Sequence, residues 1–209
     1  MYRRSTALAL AAAYAALAVL VAAGALNGLD QWSVDHLMPG LGQAGGKPSL
    51  VEAAVPLLRA SWSQGLDVVA NLVTLPAQAL VASALAAVCC LALWRRGRRR
   101  SALAWGGAWV IGNAVEVLCK SALARPLLHA HGHALVAFES SYPSGHTLRS
   151  VLLAGVVTTA WPFARRWVAA WAGASLVLLE LAGFHVPSDI VGGLLLALLL
   201  ISIARRVSL

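Results

Sequence analysis

Six stretches of this chain are apolar and long enough to suggest helices that cross a bilayer, and that repetition excludes most folds open to 209 residues. A spanning helix needs about 20 mostly apolar residues, and it succeeds in hydrocarbon because it satisfies its own backbone N–H and C=O groups. The stretches run roughly from Thr6 to Leu26, Val68 to Trp94, Ala102 to Cys119, Thr147 to Phe163, Trp167 to Phe184 and Ile190 to Ala204. With 60% hydrophobic and 11% charged residues and a mean hydropathy of +0.77, the chain carries more apolar residues than one soluble core of this size could bury. Lipid must be its solvent. The expected fold class is all-α: a polytopic membrane helical bundle of about six transmembrane helices, forming one domain over residues 1–209 with no internal repeat.

Charge orients this bundle. Sixteen Lys and Arg against eight Asp and Glu could suggest a nucleic-acid partner, but such binding needs the basic residues on one folded face. Here they cluster between apolar runs, at Arg3 and Arg4, Arg95 to Arg100, Arg165 and Arg166, and Arg205 and Arg206, so no nucleic acid is expected. Cytoplasmic loops collect Lys and Arg. Placing Arg3 and Arg4 in the cytoplasm and alternating through six helices puts every one of these clusters on that side, with both termini cytoplasmic in a multi-pass cell-membrane protein. The first run exceeds the usual apolar core of about 7 to 15 residues in a signal peptide, so it reads as a retained helix. Three connections then lie outside: Asn27 to Asp67, Lys120 to His146, and a short one around His185 to Asp189. The first reads as a long loop whose second half, Leu50 to Leu66, lies along the interface. Cys89, Cys90 and Cys119 fall inside apolar runs without metal-ligand or disulfide spacing.

Ionisable residues that converge at one membrane face mark function, because lipid makes them costly. Lys120 and Arg125, just after the third run, can hold an anion from two sides, as a point charge and as a planar fork; alone, they would read as an interfacial pair. Tyr142, Pro143, Ser144, Gly145 and His146 precede the fourth run. Ser144 is a natural N-cap and Gly145 lets backbone amides approach a ligand, so an anion can sit there with His146 beside it. Between the fifth and sixth runs, His185 has Asp189 four residues on, a spacing that orients an imidazole and stabilises its cationic form.

Together these residues resemble the type 2 phosphatidic acid phosphatase superfamily, whose three-part motif is K-x6-R-P, then P-S-G-H, then S-R-x5-H-x3-D. The second part is complete as Pro143, Ser144, Gly145 and His146, and the third keeps His185 and Asp189. The resemblance implies a membrane phosphatase acting at the outer face on a lipid phosphate or diphosphate, with membrane lipids around it and neither metal nor cofactor. It implies His185 as nucleophile forming a phosphohistidine, Asp189 orienting it, and His146 as general acid and then base. Lys120, Arg125, Ser144 and the Gly145 amide would hold the phosphate oxygens. The motif positions for Arg and Pro after Lys120 are Leu127 and Leu128, and those for Ser and Arg before His185 are Leu178 and Leu179. Arg125 and Pro126 match the earlier arginine of a doubled R-P-R-P form.

Arg149 lies three residues after His146 on the same helical face and is a candidate to replace a missing phosphate-binding arginine. The alternative is that it pairs with Glu180 or Glu116 within the bundle. Asn113, Glu116 and Lys120 share one face of the third run, and Glu116 is expected to pair with Lys120. His129, His131 and His133 alternate in the middle outer connection and read as a flexible loop rather than a cation site. Two rivals to a phosphatase stand beside these readings. One is a catalytically altered member that binds lipid phosphate or a partner protein; the other is a small transporter using the polar seams, which would call for interrupted helices in corresponding halves.

Overall fold

The computed structural model describes residues 2–38, 62–130 and 133–208. Eight α-helices carry most of them: α1 Tyr2–Ala22, α2 Asn27–Leu37, α3 Trp62–Thr74, α4 Ala79–Arg95, α5 Arg99–Ala122, α6 Gly145–Ala160, α7 Arg165–Leu181 and α8 Pro187–Val207. All six apolar runs are helical. Three helices, α1, α5 and α8, are long and apolar enough to cross a membrane, and a bent α3 and α4 pair makes a fourth candidate span. The other two are shorter: α6 has 16 residues and α7 has 17, which at 1.5 Å per residue gives roughly 24 and 26 Å against a hydrocarbon core of about 30 Å.

Two expectations need correction. The run from Val68 to Trp94 is broken, because Pro76 has no N–H to donate and its ring crowds the preceding turn. A 3-10 turn over Leu75–Ala77 follows α3, and the two helices meet at 40°. The connection from Asn27 is also more than a loop, since its first eleven residues form α2. Of the supposed interfacial segment Leu50 to Leu66, only residues from Trp62 are described, and these begin α3.

Helices α6 and α8 form the centre, with α4 and α7 packed on α6, α1 on α8, and α5 bridging to both. Their shared core includes Leu93, Trp105, Leu148, Leu152, Val156, Ala197, Leu200 and Ala204. Gly155 admits the Trp105 ring, since a Cβ there would come within 2.6 Å of it. Large apolar side chains such as Leu80, Leu103, Val110, Val117 and Phe163 face outward, as expected where lipid is the solvent.

The bundle has two unlike ends. At one, the α4–α5 turn bends at Gly97 (φ +77°), and Arg96 and Arg98 donate to the carbonyls of Ala160 (2.6 Å) and Thr159 (2.8 Å) at the end of α6. The start of α1, the α6–α7 turn and the end of α8 share this arginine end. The other end gathers α2, the residues after α5, and the starts of α6 and α8.

Candidate active site

The starts of α6 and α8 are joined backbone to backbone. Ser144 N donates to the Asp189 carbonyl at 2.9 Å, and Gly193 permits the approach because a Cβ there would press on the Ser144 carbonyl oxygen. Ser144 also caps α6, its Oγ accepting from Thr147 N at 3.3 Å. The P-S-G-H segment and the His185 and Asp189 pair, some forty residues apart in sequence, thereby become one structure. The His146 and His185 rings face each other with centroids 6.2 Å apart and planes inclined by 56°. Behind His185, Nδ1 donates to Asp189 Oδ2 at 3.4 Å, so Nε2 lies on the side of the ring away from Asp189. Asp189 and Ser144 are fully buried, His185 is buried, and His146 is partly exposed.

Tyr142 seals the floor. Its ring lies on Gly192, where a Cβ would overlap it, and stacks against Tyr14 of α1 at 6.1 Å. Burial pushes its phenol above the ordinary tyrosine range, with the Asp189 carboxylate adding to the effect, so the ring stays neutral. The Tyr142–Pro143 peptide bond is cis.

The basic residues occupy two separate networks. Arg125 is buried between two carboxylates: Nη2 donates to Asp30 Oδ2, and Nη1 donates to Asp189 Oδ1 at 3.1 Å. Asp30 also accepts from Ser188, from its N at 3.1 Å and its Oγ at 2.7 Å. In the second network Glu116 stands between two cations, with Lys120 Nζ at 2.6 Å on one oxygen and Arg149 Nη1 at 2.6 Å on the other. Arg149 is further held by the Ala77 carbonyl (2.8 Å), which the 3-10 turn leaves outside the helical ladder, and by Asn113 Oδ1 (3.3 Å). A Cβ on Gly145 would overlap the Glu116 carboxylate and crowd the Arg149 guanidinium. A carboxylate therefore lies against the glycine at the start of α6, between two cations.

Of the expected site residues, His146, His185, Asp189, Ser144, Gly145 and Arg125 are drawn into one junction. Lys120 and Arg149 meet on Glu116 beside it. The Glu116 and Lys120 pair forms as expected, and Arg149 makes the Glu116 contact foreseen as its alternative partner. Of the two motif arginine positions, Leu127 is exposed and Leu179 is fully buried, while Leu128, at the motif proline position, is buried and packs with Val34, Met38 and Val186. Glu180 accepts from Ser33 Oγ at 2.9 Å, which ties α7 to α2. His129 and His133 are exposed on a two-stranded hairpin, β1 His129–Ala130 and β2 His133–Ala134, rather than a featureless loop, while His131 lies outside the described residues. Asp30 escaped the sequence reading although it holds the network together. Its signal was an acid near a membrane boundary, the same rule that selected the other residues.

No family model and no curated protein matches this chain in sequence. In structure it is similar to a transmembrane PAP2-type phosphatidylglycerolphosphate phosphatase from Bacillus subtilis, with a TM-score of 0.58 and 18% identity over 99% of this chain and 96% of that one. The likeness spans the helices that carry the histidines as well as those that carry the cations. The chain thus adopts the fold of a PAP2-type membrane phosphatase, the superfamily that its Pro143 to His146 segment and its His185 and Asp189 pair resemble.

Proposed function

We propose that this protein is a membrane phosphatase that removes a phosphate from a lipid phosphomonoester or diphosphate at the outer face of the cell membrane, without metal. The observation that carries this reading is the pairing of His146 with His185 across 6.2 Å, with Asp189 hydrogen-bonded behind His185. A site that only bound phosphate would need cations, not a nucleophile with an orienting acid and a second histidine opposite. The Bacillus neighbour acts on phosphatidylglycerolphosphate, and a headgroup of that kind presents a phosphomonoester at the interface.

In the proposed reaction Nε2 of His185 attacks phosphorus while the bond to the lipid oxygen breaks. His146 delivers its proton to that oxygen, and the lipid alcohol leaves. His146 then takes a proton from water, the resulting hydroxide attacks the phosphohistidine, and inorganic phosphate departs with His185 restored. Asp189 stabilises the positive charge the ring carries in the intermediate. Arg125 acts here as a positioning residue, because its guanidinium fixes the Asp189 carboxylate from the far side.

Phosphate oxygens would take the place of the Glu116 carboxylate against Gly145. The same two cations, Lys120 and Arg149, and the backbone amides at the start of α6 then serve the substrate. A second reading, a lipid-phosphate binding member with altered catalysis, draws on the engagement of Arg125 by two carboxylates. Phosphate release from a panel of lipid phosphates with a chelator present, compared with His185→Ala, tests the choice. Release that survives the chelator and disappears in the variant supports the phosphohistidine route. Folded protein that binds the lipids and releases no phosphate supports the second reading.

A further inference from the structure

A cavity of about 1020 Å³ opens at the arginine end, between α1, α5, α6, α7 and α8, remote from the histidine pair. Its mouth is ringed by Arg98, Arg165, Arg205 and Arg206, contributed by three different segments of the chain. Among the described residues no acidic side chain lines it, and none of these four arginines takes part in an ion pair. Among the described residues these four cations have no carboxylate beside them, unlike the cations near the histidine pair.

Below the mouth the walls turn apolar, with Val151, Ala154, Ala172 and Ile201 among them. Val151 and Thr159 both line the cavity on α6, so it follows that helix for roughly 12 Å at 1.5 Å per residue. That depth approaches one leaflet of hydrocarbon, half of about 30 Å. Trp105, 3% exposed, adds its indole to this apolar wall.

We propose that this cavity binds one anionic phospholipid of the surrounding membrane, with its phosphate at the four arginines and an acyl chain along the apolar wall. A soluble anion would use the mouth alone and leave the apolar depth unfilled. A zwitterionic lipid would fill the depth and leave the arginines uncompensated. Charge and shape together select an anionic lipid, and the site is independent of the phosphatase reading.

The test is native mass spectrometry of the full chain in mild detergent, with phosphatidylglycerol or phosphatidylcholine added. Phosphatidylglycerol is a phosphodiester and offers no phosphomonoester to the histidine pair. The expected result is one retained phosphatidylglycerol, preferred over phosphatidylcholine by about tenfold or more, since each basic residue near an anionic headgroup strengthens binding severalfold. Two variants should abolish the preference: the combined Arg165→Gln, Arg205→Gln and Arg206→Gln, which removes charge, and Ala154→Phe, which fills the depth and leaves the arginines. If the charge variant does not accumulate, Ala154→Phe decides alone. Equal retention of both lipids by the wild type, a preference that survives Ala154→Phe, or displacement of the lipid by inorganic phosphate overturns the proposal.

Discussion

At the scale of single residues, two networks share the work differently, and substitutions separate them. Arg125 sits between Asp30 and Asp189 with almost no exposure. Removing it leaves two buried carboxylates facing each other, and breaking a buried pair from one side costs about 3–5 kcal/mol. Arg125→Ala is therefore expected to lower the thermal midpoint in detergent sharply and to abolish activity through Asp189. Asp30→Asn should cost less, about 2–3 kcal/mol, because Asn can still accept from Ser188. Glu116→Gln belongs to the other network and should behave in the opposite sense toward ligands. It removes the anion that competes with phosphate for Lys120 and Arg149, so KM should fall severalfold while the unliganded protein loses stability. Vanadate protection against thermal unfolding reads both effects at once. A KM that rises instead would make Glu116 part of the binding surface rather than its internal competitor.

At the scale of elements, the junction of α6 with α8 is where the motifs become a site. Gly193→Ala puts a methyl group against the Ser144 carbonyl and Thr147, and overpacking of this kind costs about 1–3 kcal/mol. The shift it forces would move His146 relative to His185, and a displacement near 1 Å is enough for a loss of roughly 100-fold. Phosphate release is expected to fall far more than the melting point. Much of this level was legible beforehand. Hydropathy located all six apolar runs as helices because a lipid-facing helix needs continuous apolar sequence, and the P-S-G-H segment marked the start of α6 because Ser144 is an N-cap. The break at Leu75–Ala77 was missed because apolar composition continues through Pro76. Helix α2 was missed because Asn27 to Leu37 alternates polar and apolar residues too closely for a hydropathy window. The Asp30 network could not be read, since its partners lie 95 and 158 residues away, and neither propensity nor spacing carries that distance. Arg149 has two acids within the sequence's reach, Glu116 and Glu180, and only the packing of α5 against α6 decides for Glu116.

At the scale of the whole molecule, the arginine end and the histidine end are opposite faces of one bundle, which makes orientation a sharp test. With Cys89, Cys90 and Cys119 replaced by Ser, a single cysteine at Glu139 should react with a membrane-impermeant thiol reagent in intact cells. One at Ser208 should react only after lysis. The reverse pattern would place the histidine pair in the cytoplasm and change which leaflet supplies the substrate.

Asp30 also carries a consequence for biogenesis. Helix α2 is made before Arg125 exists, and Ser188 belongs to the last helix of the described chain, so during synthesis this carboxylate waits beside the membrane for partners that arrive in turn. The electrostatic centre closes only when α8 inserts, and until then the histidine pair has no fixed orienting acid. On the proposed function, a nascent chain that has not yet inserted α8 would hydrolyse no lipid phosphate, and the cell would be spared the activity of half-built copies.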